Sequence, residues 1–384
     1  MQSGRTTAAS KAIPRIILLA GRDKSLLRKH PWVFSQAIAR TEGSPRAGQV
    51  VRVESHSGAF LGWGGFSPDS SLPVRICSFR EERLPDESWL RSRLAEAVAV
   101  RRNLHLIGEE TNACRLVHGE NDGLPGLVVD LYGDYLVCQF LWHGMEPWRA
   151  KVVEILRDHF PGAGLVERSE GQSRKREGLP ERKELLAGAS PPATVAIVEE
   201  GRRYRVDLLQ GQKTGFYLDQ RENRGWLSRS QPLGRVLNGF GYTGGFTVAA
   251  LRGGAESVLH CDTSPEALRL TEANLAENQL DASRVSLLKE DMFQLLRRLS
   301  EAGERFDTIV LDPPKFAEHK AQVIRACRGY KDLNRLAMGL LRPGGVLFTF
   351  SCSAHVEFPL FQKVVADAAL DAGREARIER RLFQ

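Results

Sequence analysis

The spacing of apolar residues divides the chain into regions with different predicted secondary structure. Residues 14–84 are predicted to form a compact β domain, because short apolar segments such as Gly48–Val53 alternate with polar positions and are separated by turn residues. Asp86 then caps a linker helix, which with further strands and a second helix gives a small α+β domain over residues 85–200. Within that domain, the polar stretch 171–192 predicts a long loop.

Strands and helices alternate regularly over residues 201–384. A helix is predicted after each of the apolar strands at 234–238, 257–262, 284–289, 306–312 and 345–350. Ser264 is expected to cap one of these helices, with Pro265 in its first turn. This alternation predicts a parallel sheet covered on both faces, and such sheets bind ligands beyond the carboxyl ends of their strands.

Positive charge is concentrated at the amino-terminal end of the chain. The formal net charge of the 384 residues is +7, and residues 1–50 alone account for it, with nine Lys and Arg against Asp23 and Glu42. A basic end on a neutral body suggests a polyanion partner, most often nucleic acid, although a solubilising tail is an equal alternative. Residues 1–13 are expected to be a flexible tail. The predicted RNA contacts here are Arg22, Lys24, Arg28 and Lys29.

Composition excludes several other classes of protein. No apolar run approaches the roughly 18 residues of a membrane span, and the amino terminus lacks the apolar core of a signal peptide. None of the six cysteines has C-x-x-C spacing, so no metal site is expected. We therefore expect a soluble cytoplasmic protein without a membrane partner.

The turn after strand 234–238 is rich in small residues, and acids follow the next three strands. The turn is Asn238-Gly239-Phe240-Gly241-Tyr242-Thr243-Gly244, and Asp262 stands about 20 residues beyond it, at the spacing of a ribose-binding carboxylate. The turn does not match the G-x-G-x-x-G of dinucleotide sites. Successive strand-end acids instead fit S-adenosylmethionine, a nucleoside with a sulfonium cation. Its predicted binding residues are Asn238, Phe240, Gly241, Tyr242, Thr243, Gly244, Asp262, Asp291, Asp312 and Pro313.

Several motifs resemble the large-subunit ribosomal RNA methyltransferase I family. They are Asp312-Pro313-Pro314-Lys315-Phe316, Phe350-Ser351-Cys352-Ser353, His30-Pro31-Trp32-Val33-Phe34-Ser35, Arg115–Gly126 and Gln212–Arg221. The resemblance covers almost the whole chain. It implies an α/β protein in which a Rossmann-like class I methyltransferase domain, residues 201–384, follows a PUA barrel that binds RNA and a central α+β domain. It also implies 5-methylcytosine formation in ribosomal RNA.

The resemblance assigns catalytic roles to two side chains. Methylation at carbon 5 of cytosine requires a thiolate that attacks carbon 6, and Cys352 is the predicted nucleophile. Asp312 is expected to hydrogen-bond the cytosine edge and to act as general acid. Lys315 is expected either to meet a phosphate or to be solvated. Phe316 and Tyr330 either stack on the extruded base or belong to the core.

The chain departs from the family pattern in two places. Asn238 and Gly239 replace an acid or a larger apolar residue in the first turn, although Asn238 can still hydrogen-bond the methionine amine. The family continues past a strand equivalent to Ala376–Leu382 into one more strand, so the last strand of the sheet is expected to be missing here.

Two other functions stay open on the sequence alone. An RNA methyltransferase acting on a base nitrogen, as in guanine, shares the Asp-Pro-Pro turn but needs no cysteine, so Cys352 argues against it. A non-catalytic RNA-binding relative would not need Asp262, Asp291, Asp312 and Cys352 together. Whether the protein is a homodimer is not decided by these patterns.

Overall fold

The computed structural model describes residues 12–230 and 232–383, which form two compact units. The first unit contains the chain up to Val195 together with Asp207–Gly215. The second contains Ala196–Val206 and the chain from Phe216 onward. Almost all of the flexible tail predicted for residues 1–13 lies outside the described residues. Separate hydrophobic clusters form the cores of the two units.

The amino-terminal part of the first unit is a six-stranded sheet, as its alternating pattern predicts. Its elements are β1 (Arg15–Leu18), α1 (Lys24–Leu27), β2 (Trp32–Val33), β3 (Ile38–Glu42), β4 (Val50–Glu54), β5 (Phe60–Phe66) and β6 (Val74–Ser78). The strand order is β2-β6-β5-β4-β1-β3, with a parallel pair only between β1 and β4. Ile16, Val51, Val53 and Val74 are fully buried and form its core, which explains the alternation.

The rest of the first unit is an α+β structure. Its helices are α2 (Glu87–Asn103) and α3 (Arg149–His159), and its strands include β7 (Ala113–His118), β8 (Leu127–Tyr132), β9 (Tyr135–Phe140) and β10 (Gly164–Ser169). The Asp86 carboxylate accepts a hydrogen bond of 2.8 Å from the backbone N–H of Trp89, which confirms the predicted cap. Trp89, Leu90 and Leu94 on α2 join the same apolar cluster as Leu116 and Val129 of the sheet.

The prediction of a long loop at 171–192 is wrong. This stretch contains α4 (Gln172–Arg176) and β11 (Arg182–Ala187), and β11 completes a sheet in the order β11-β10-β9-β8-β7. Arg174 is completely buried, where its guanidinium donates to Glu146 at 2.6 Å and to the carbonyls of Phe140 and Pro180. The charges of this polar stretch are therefore partly internal, because Arg174 and Glu177 are buried and bind partners that lie elsewhere in the sequence.

The second unit has the alternating order that the sequence predicts. Its elements are β12 (Val195–Glu199), β13 (Arg202–Val206), α5 (Arg221–Arg229), β14 (Arg235–Gly239), α6 (Gly245–Arg252), β15 (Ser257–Asp262), α7 (Pro265–Glu277), β16 (Val285–Lys289), α8 (Met292–Glu301), β17 (Phe306–Leu311), α9 (Val323–Leu340), β18 (Leu341–Thr349) and α10 (Phe358–Asp371). Strands β12 and β13 form a separate two-stranded sheet. The Ser264 hydroxyl accepts from the N–H of Ala267, so Ser264 caps α7 as predicted.

The main sheet of the second unit is entirely parallel, with the order β16-β15-β14-β17-β18. Gly239 at the end of β14 pairs with Cys261 on one side and with Leu311 on the other. The residues that follow these three strands therefore meet at one edge of the sheet. The strand order reverses between β14 and β17, and this switch point is where open α/β sheets bind ligands.

The expected strand at Ala376–Leu382 is absent. Residues 374–383 have no regular secondary structure, and β18 ends the sheet on that side within the described part of the chain. Side-chain contacts hold this segment instead: the Arg380 guanidinium lies 4.0 Å from the ring centroid of Trp226, and the carbonyl of Phe383 accepts from Asn223 at 2.9 Å. The segment is charged at most positions, and its alternating apolar residues Ala376 and Ile378 are exposed rather than packed against the sheet.

Candidate active site at the carboxyl edge of the parallel sheet

The turn after β14 has a strained and closely packed backbone. Phe240 and Tyr242 have positive φ values of 59° and 47°, which side chains other than glycine rarely adopt. A Cβ atom at Gly241 would lie 2.3 Å from Cε1 of His260, so only glycine fits there. Backbone strain of this kind persists only where the surroundings enforce it, and it is concentrated at functional sites.

The Asp262 carboxylate holds the turn in place. One oxygen accepts from the backbone N–H of Tyr242 and the other from that of Ser264, both at 2.9 Å. A carboxylate oxygen has two lone pairs, so each of these oxygens can accept a further hydrogen bond from a ribose hydroxyl. Asp262 therefore joins the turn, the end of β15 and the start of α7 at the edge where the sequence predicts the cofactor.

Polar atoms without partners are buried beneath the turn. The Asn238 amide donates to Thr247 at 2.9 Å, and the Thr247 hydroxyl contacts Nδ1 of His260 at 2.8 Å. Burial lowers the pKa of His260 to about 4, so the ring is neutral at physiological pH. Within the described residues, Asn238 Oδ1 and Thr243 Oγ1 have no hydrogen-bond partner. Unpaired buried acceptors are rare, and a ligand amine or hydroxyl would satisfy them.

The two remaining strand-end acids have different surroundings. Asp291 is exposed and caps α8, because one carboxylate oxygen accepts from the N–H groups of Phe293 and Gln294 at 3.0 and 3.1 Å. Asp312 is half-buried after β17 and accepts a hydrogen bond of 3.0 Å from Nε2 of Gln220. Asp291 thus has a structural role whatever its ligand, whereas Asp312 is oriented by a buried amide.

Cys352 lies beside the Asp-Pro-Pro turn. Its Sγ atom is 3.7 Å from the carbonyl oxygen of Pro313, and the residue is exposed. Next to it, the buried Ser353 hydroxyl accepts from the N–H groups of Phe316 and Ala317 at 3.1 and 3.2 Å. These bonds join the loop after β18 to the loop after β17, so the predicted nucleophile and the Asp-Pro-Pro turn are held together.

Tyr330 belongs to the core and does not face a substrate. Its side chain is fully buried, its ring centroid is 4.6 Å from that of Phe316, and its hydroxyl contacts Ser351 and Ser353 at 3.0 Å each. Burial raises the pKa of its phenol. Of the two aromatic residues considered for base stacking, Phe316 alone is partly exposed.

The sequence did not single out three residues around Asp312, namely Tyr217, Gln220 and Asn223. Gln220 is buried and also accepts from Asn223 at 2.6 Å. Burial raises the pKa of Tyr217, and the acidic groups of Asp312, Tyr242 and Cys352 act on it in the same direction. All three lie in or next to the stretch Gln212–Arg221, which the sequence showed only as a resemblance. That resemblance was the only signal available, because their partners are far away along the chain.

The predicted RNA contacts occur in both units. Arg22, Lys24, Arg28 and Lys29 are exposed on and around α1 of the first unit, and the Lys29 ammonium lies 5.0 Å from the ring centroid of Phe79. Lys315 is exposed in the second unit, directly after the Asp-Pro-Pro turn.

Two kinds of site are absent from the described ranges, 12–230 and 232–383. These residues contain no cluster of His, Cys, Asp and Glu side chains that could hold a metal ion. No helix among them is long and apolar enough to cross a membrane.

Known families and structures match both parts of this architecture. Residues 172–371 match the model of the S-adenosylmethionine-dependent methyltransferase family, and residues 16–79 match that of a PUA-like domain. A protein from Streptococcus mutans described as a SAM-dependent methyltransferase superimposes with a TM-score of 0.77 at 25% identity, covering 92% of this chain and 90% of that chain. A methyltransferase named SMU.776, solved with SAH, gives 0.78 at the same identity and coverage. The fold and the site therefore define an S-adenosylmethionine-dependent methyltransferase.

Curated relatives narrow this class to one family. The ribosomal RNA large subunit methyltransferase I of Tolumonas auensis is 49% identical over 370 residues, covering 96% of this chain and 93% of the relative. That of Aeromonas salmonicida is 48% identical over 369 residues, with the same coverage. The chain belongs to the ribosomal RNA large subunit methyltransferase I family.

Proposed function

We propose that this protein transfers a methyl group from S-adenosylmethionine to carbon 5 of a cytosine in large-subunit ribosomal RNA, through a covalent bond between Cys352 and the base. The name of the relatives, at 45–49% identity, supports the RNA substrate. The observation that carries the chemistry is the exposed thiol beside the Asp-Pro-Pro turn, at the carboxyl edge of the sheet.

The other cysteines are less suited to attack a base. Cys77, Cys114 and Cys138 belong to the first unit, whereas the candidate site is built from residues of the second, and Cys114 and Cys138 are buried. Cys261 is buried, its Sγ donates to the carbonyl of Glu290 at 3.2 Å, and burial raises its pKa to about 12. Cys327 is partly buried on α9, and burial raises its pKa as well. Cys352 alone is exposed.

In the proposed reaction the Cys352 thiolate forms a bond to carbon 6 of cytosine, and the electron pair moves onto carbon 5. Asp312, in its protonated form, donates a hydrogen bond to the pyrimidine edge and stabilises the negative charge that attack places on the ring. Gln220 holds the Asp312 carboxyl through its amide at 3.0 Å. After methylation, a base takes the carbon-5 proton, the carbon–sulfur bond breaks, and its electrons return to Cys352 as thiolate.

The residues around the first turn fit the cofactor. Asn238 and Thr243 have the unpaired buried oxygens for the methionine amine or a hydroxyl, and Asp262 has lone pairs for the ribose. The closely packed backbone at Gly239 and Gly241 admits no side chain between the turn and the sheet. When bound there, S-adenosylmethionine supplies the methyl group that carbon 5 accepts.

Two assays test the proposal. Tritiated methyl transfer to large-subunit RNA, followed by nucleoside analysis of the product, should yield 5-methylcytidine. RNA containing 5-fluorocytosine should trap the protein as an adduct, because fluorine blocks the final proton loss. Cys352→Ser should lose nearly all turnover and form no adduct while still binding the cofactor, since serine is a far weaker nucleophile at neutral pH.

Cys327→Ser is the matched control, because it removes the other partly exposed thiol of the second unit. It should keep both turnover and adduct formation. Recovery of a base methylated on nitrogen would support the alternative reaction and disprove the thiolate mechanism. Absence of any transfer to RNA, with the cofactor bound, would support a non-catalytic RNA-binding role.

A further inference from the structure

A groove of about 430 Å³ lies next to the candidate active site in the second unit. Residues from the start of α8, the loop after the Asp-Pro-Pro turn and the first half of α9 line it, among them Phe293, Lys315, Phe316, Gln322, Arg325 and Gly329. The loop that forms this wall is joined to the Cys352 loop, because the N–H of Phe316 donates to Ser353. The groove therefore adjoins the place where the target base would react.

The walls of the groove are positively charged. Segment 313–329 contains Lys315, Lys320, Arg325 and Arg328 against the single acid Glu318. Lys315 and Arg325 line the groove, and Lys320 and Arg328 lie in the same segment. All four cations are exposed, and none of them forms an ion pair with another described residue, in contrast to the paired Arg297 and Arg298 on α8 and Arg335 on α9. Unpaired cations around a concave surface attract a polyanion.

Aromatic rings form another part of the groove. Phe293 and Phe316 are both half-buried, with ring centroids 6.3 Å apart, and Phe316 packs in turn on Tyr330. A Cβ atom at Gly329 would lie 3.3 Å from the Phe316 ring, so glycine lets that ring approach α9 closely. Packing against Tyr330 and α9 therefore fixes the Phe316 ring, and the half-buried Phe293 ring leaves part of its surface accessible. Aromatic faces combined with cations are the elements that bind single-stranded nucleic acid.

We infer that this groove binds the nucleotide adjoining the target cytosine in a single-stranded segment of the RNA, with its base on Phe293 and its phosphate between Lys315 and Arg325. The inference rests on the proposed function, because it takes RNA as the substrate. A target base must leave any helical stack to be reached, and its neighbour then needs a new stacking partner. The groove supplies one beside the nucleophile.

The test measures the affinity of the full-length protein for a fluorescent single-stranded oligocytidylate over a series of salt concentrations. Lys315→Gln and Arg325→Gln should each weaken binding several-fold and reduce the salt slope by about 0.7, the value for one lost phosphate contact on a single strand. Phe293→Leu should weaken binding about five-fold or more without changing the slope, because stacking is uncharged. This difference in slope separates the two kinds of contact.

Arg305→Gln is the matched control. Arg305 is exposed and immediately precedes β17, so it lies at the opposite end of that strand from Lys315. The control should leave affinity and slope unchanged, and circular dichroism and cofactor calorimetry check that each variant is folded. An unchanged slope in the Lys315→Gln/Arg325→Gln double variant, or an equal loss in Arg305→Gln, would overturn the inference. Equal weakening on duplex RNA would overturn the single-strand assignment.

Failure of this inference is distinguishable from failure of the proposed reaction. If wild-type protein makes 5-methylcytidine while the groove variants bind RNA normally, the groove assignment is wrong and the reaction stands. If the groove variants lose RNA affinity while the product is not 5-methylcytidine, the RNA site stands and the reaction is wrong.

Discussion

Single residues at the carboxyl edge of the parallel sheet combine a structural contact with a predicted contact to the cofactor. Asp262 shows this most directly, because its two oxygens hold the backbone of Tyr242 and Ser264. Asn238 does the same through Thr247 while its own oxygen has no partner among the described residues. A substitution at either position therefore changes both the turn and the site, and an experiment must measure the two effects separately.

Asp262→Ala should weaken S-adenosylmethionine binding by roughly ten- to hundred-fold. Hydrogen bonds from a carboxylate to a ribose are worth about 1.5–3 kcal/mol, and each 1.4 kcal/mol is a factor of ten in affinity. Calorimetry with the folded variant measures the effect. Asp281→Ala is the control. The Asp281 carboxylate also accepts from a backbone N–H, that of Ser283, but Asp281 lies before β16, at the opposite edge of the sheet from the candidate site. Unchanged affinity in a folded Asp262→Ala protein would contradict the ribose role.

The residues of the site that could be predicted are those that follow strands. Asp262 and Asp312 end predictable apolar strands, and parallel strands bring their carboxyl ends together, so their position follows from the pattern. Gln220 and Tyr217 could not be placed this way. They precede α5, in a stretch with no strand-end position, and their relation to Asp312 depends on how distant segments pack.

At the scale of elements, helices and strands were predicted correctly where buried apolar residues recur at a regular spacing along the chain. They were missed where charged residues are buried by pairing with distant segments. The strands of the parallel sheet and the caps at Asp86 and Ser264 were found because their signals are local. α4 and β11 were missed because their charged residues indicated solvent. Buried Glu177 and Arg174 are satisfied by partners such as Ser67 and Glu146, which no local window contains.

Arg174→Met should reduce the free energy of unfolding of the first unit by about 2–5 kcal/mol, because it leaves the carbonyls of Phe140 and Pro180 without this buried donor and removes one of the two cations that pair with Glu146. Glu146 would keep Arg182 at 2.7 Å but lose the buried guanidinium. Urea denaturation followed by tryptophan fluorescence measures it, since every tryptophan except Trp226 lies in this unit.

Lys175→Met is the comparison for that variant, because Lys175 is the next residue on α4 and its side chain is exposed. It should change the unfolding midpoint little. A similar midpoint for the two variants would mean that the buried pair contributes no more than a surface charge, and that α4 is held by its backbone and apolar contacts alone.

For the whole molecule, the excess of charge and the candidate chemistry belong to different units. The predicted cofactor and catalytic residues all lie in the second unit, whereas the surplus of positive charge lies within residues 1–50 of the first. On this basis the first unit should contribute affinity for RNA but little to turnover, whereas the second unit should contribute turnover together with the affinity of its groove. The two contributions can be separated in the full-length protein by surface substitutions.

Arg22→Gln/Arg28→Gln should raise the KM for RNA and lower the salt slope of binding by up to about 1.8, with little change in kcat. Each phosphate contact contributes about 0.7–0.9 to the slope, and both side chains are exposed without an ion pair among the described residues. The control is Arg102→Gln/Arg157→Gln, which removes two exposed charges from α2 and α3 of the same unit. Because net charge falls equally in both variants, a general electrostatic effect would lower both slopes. A slope that is unchanged in Arg22→Gln/Arg28→Gln would mean that the amino-terminal charge has a purpose other than binding RNA.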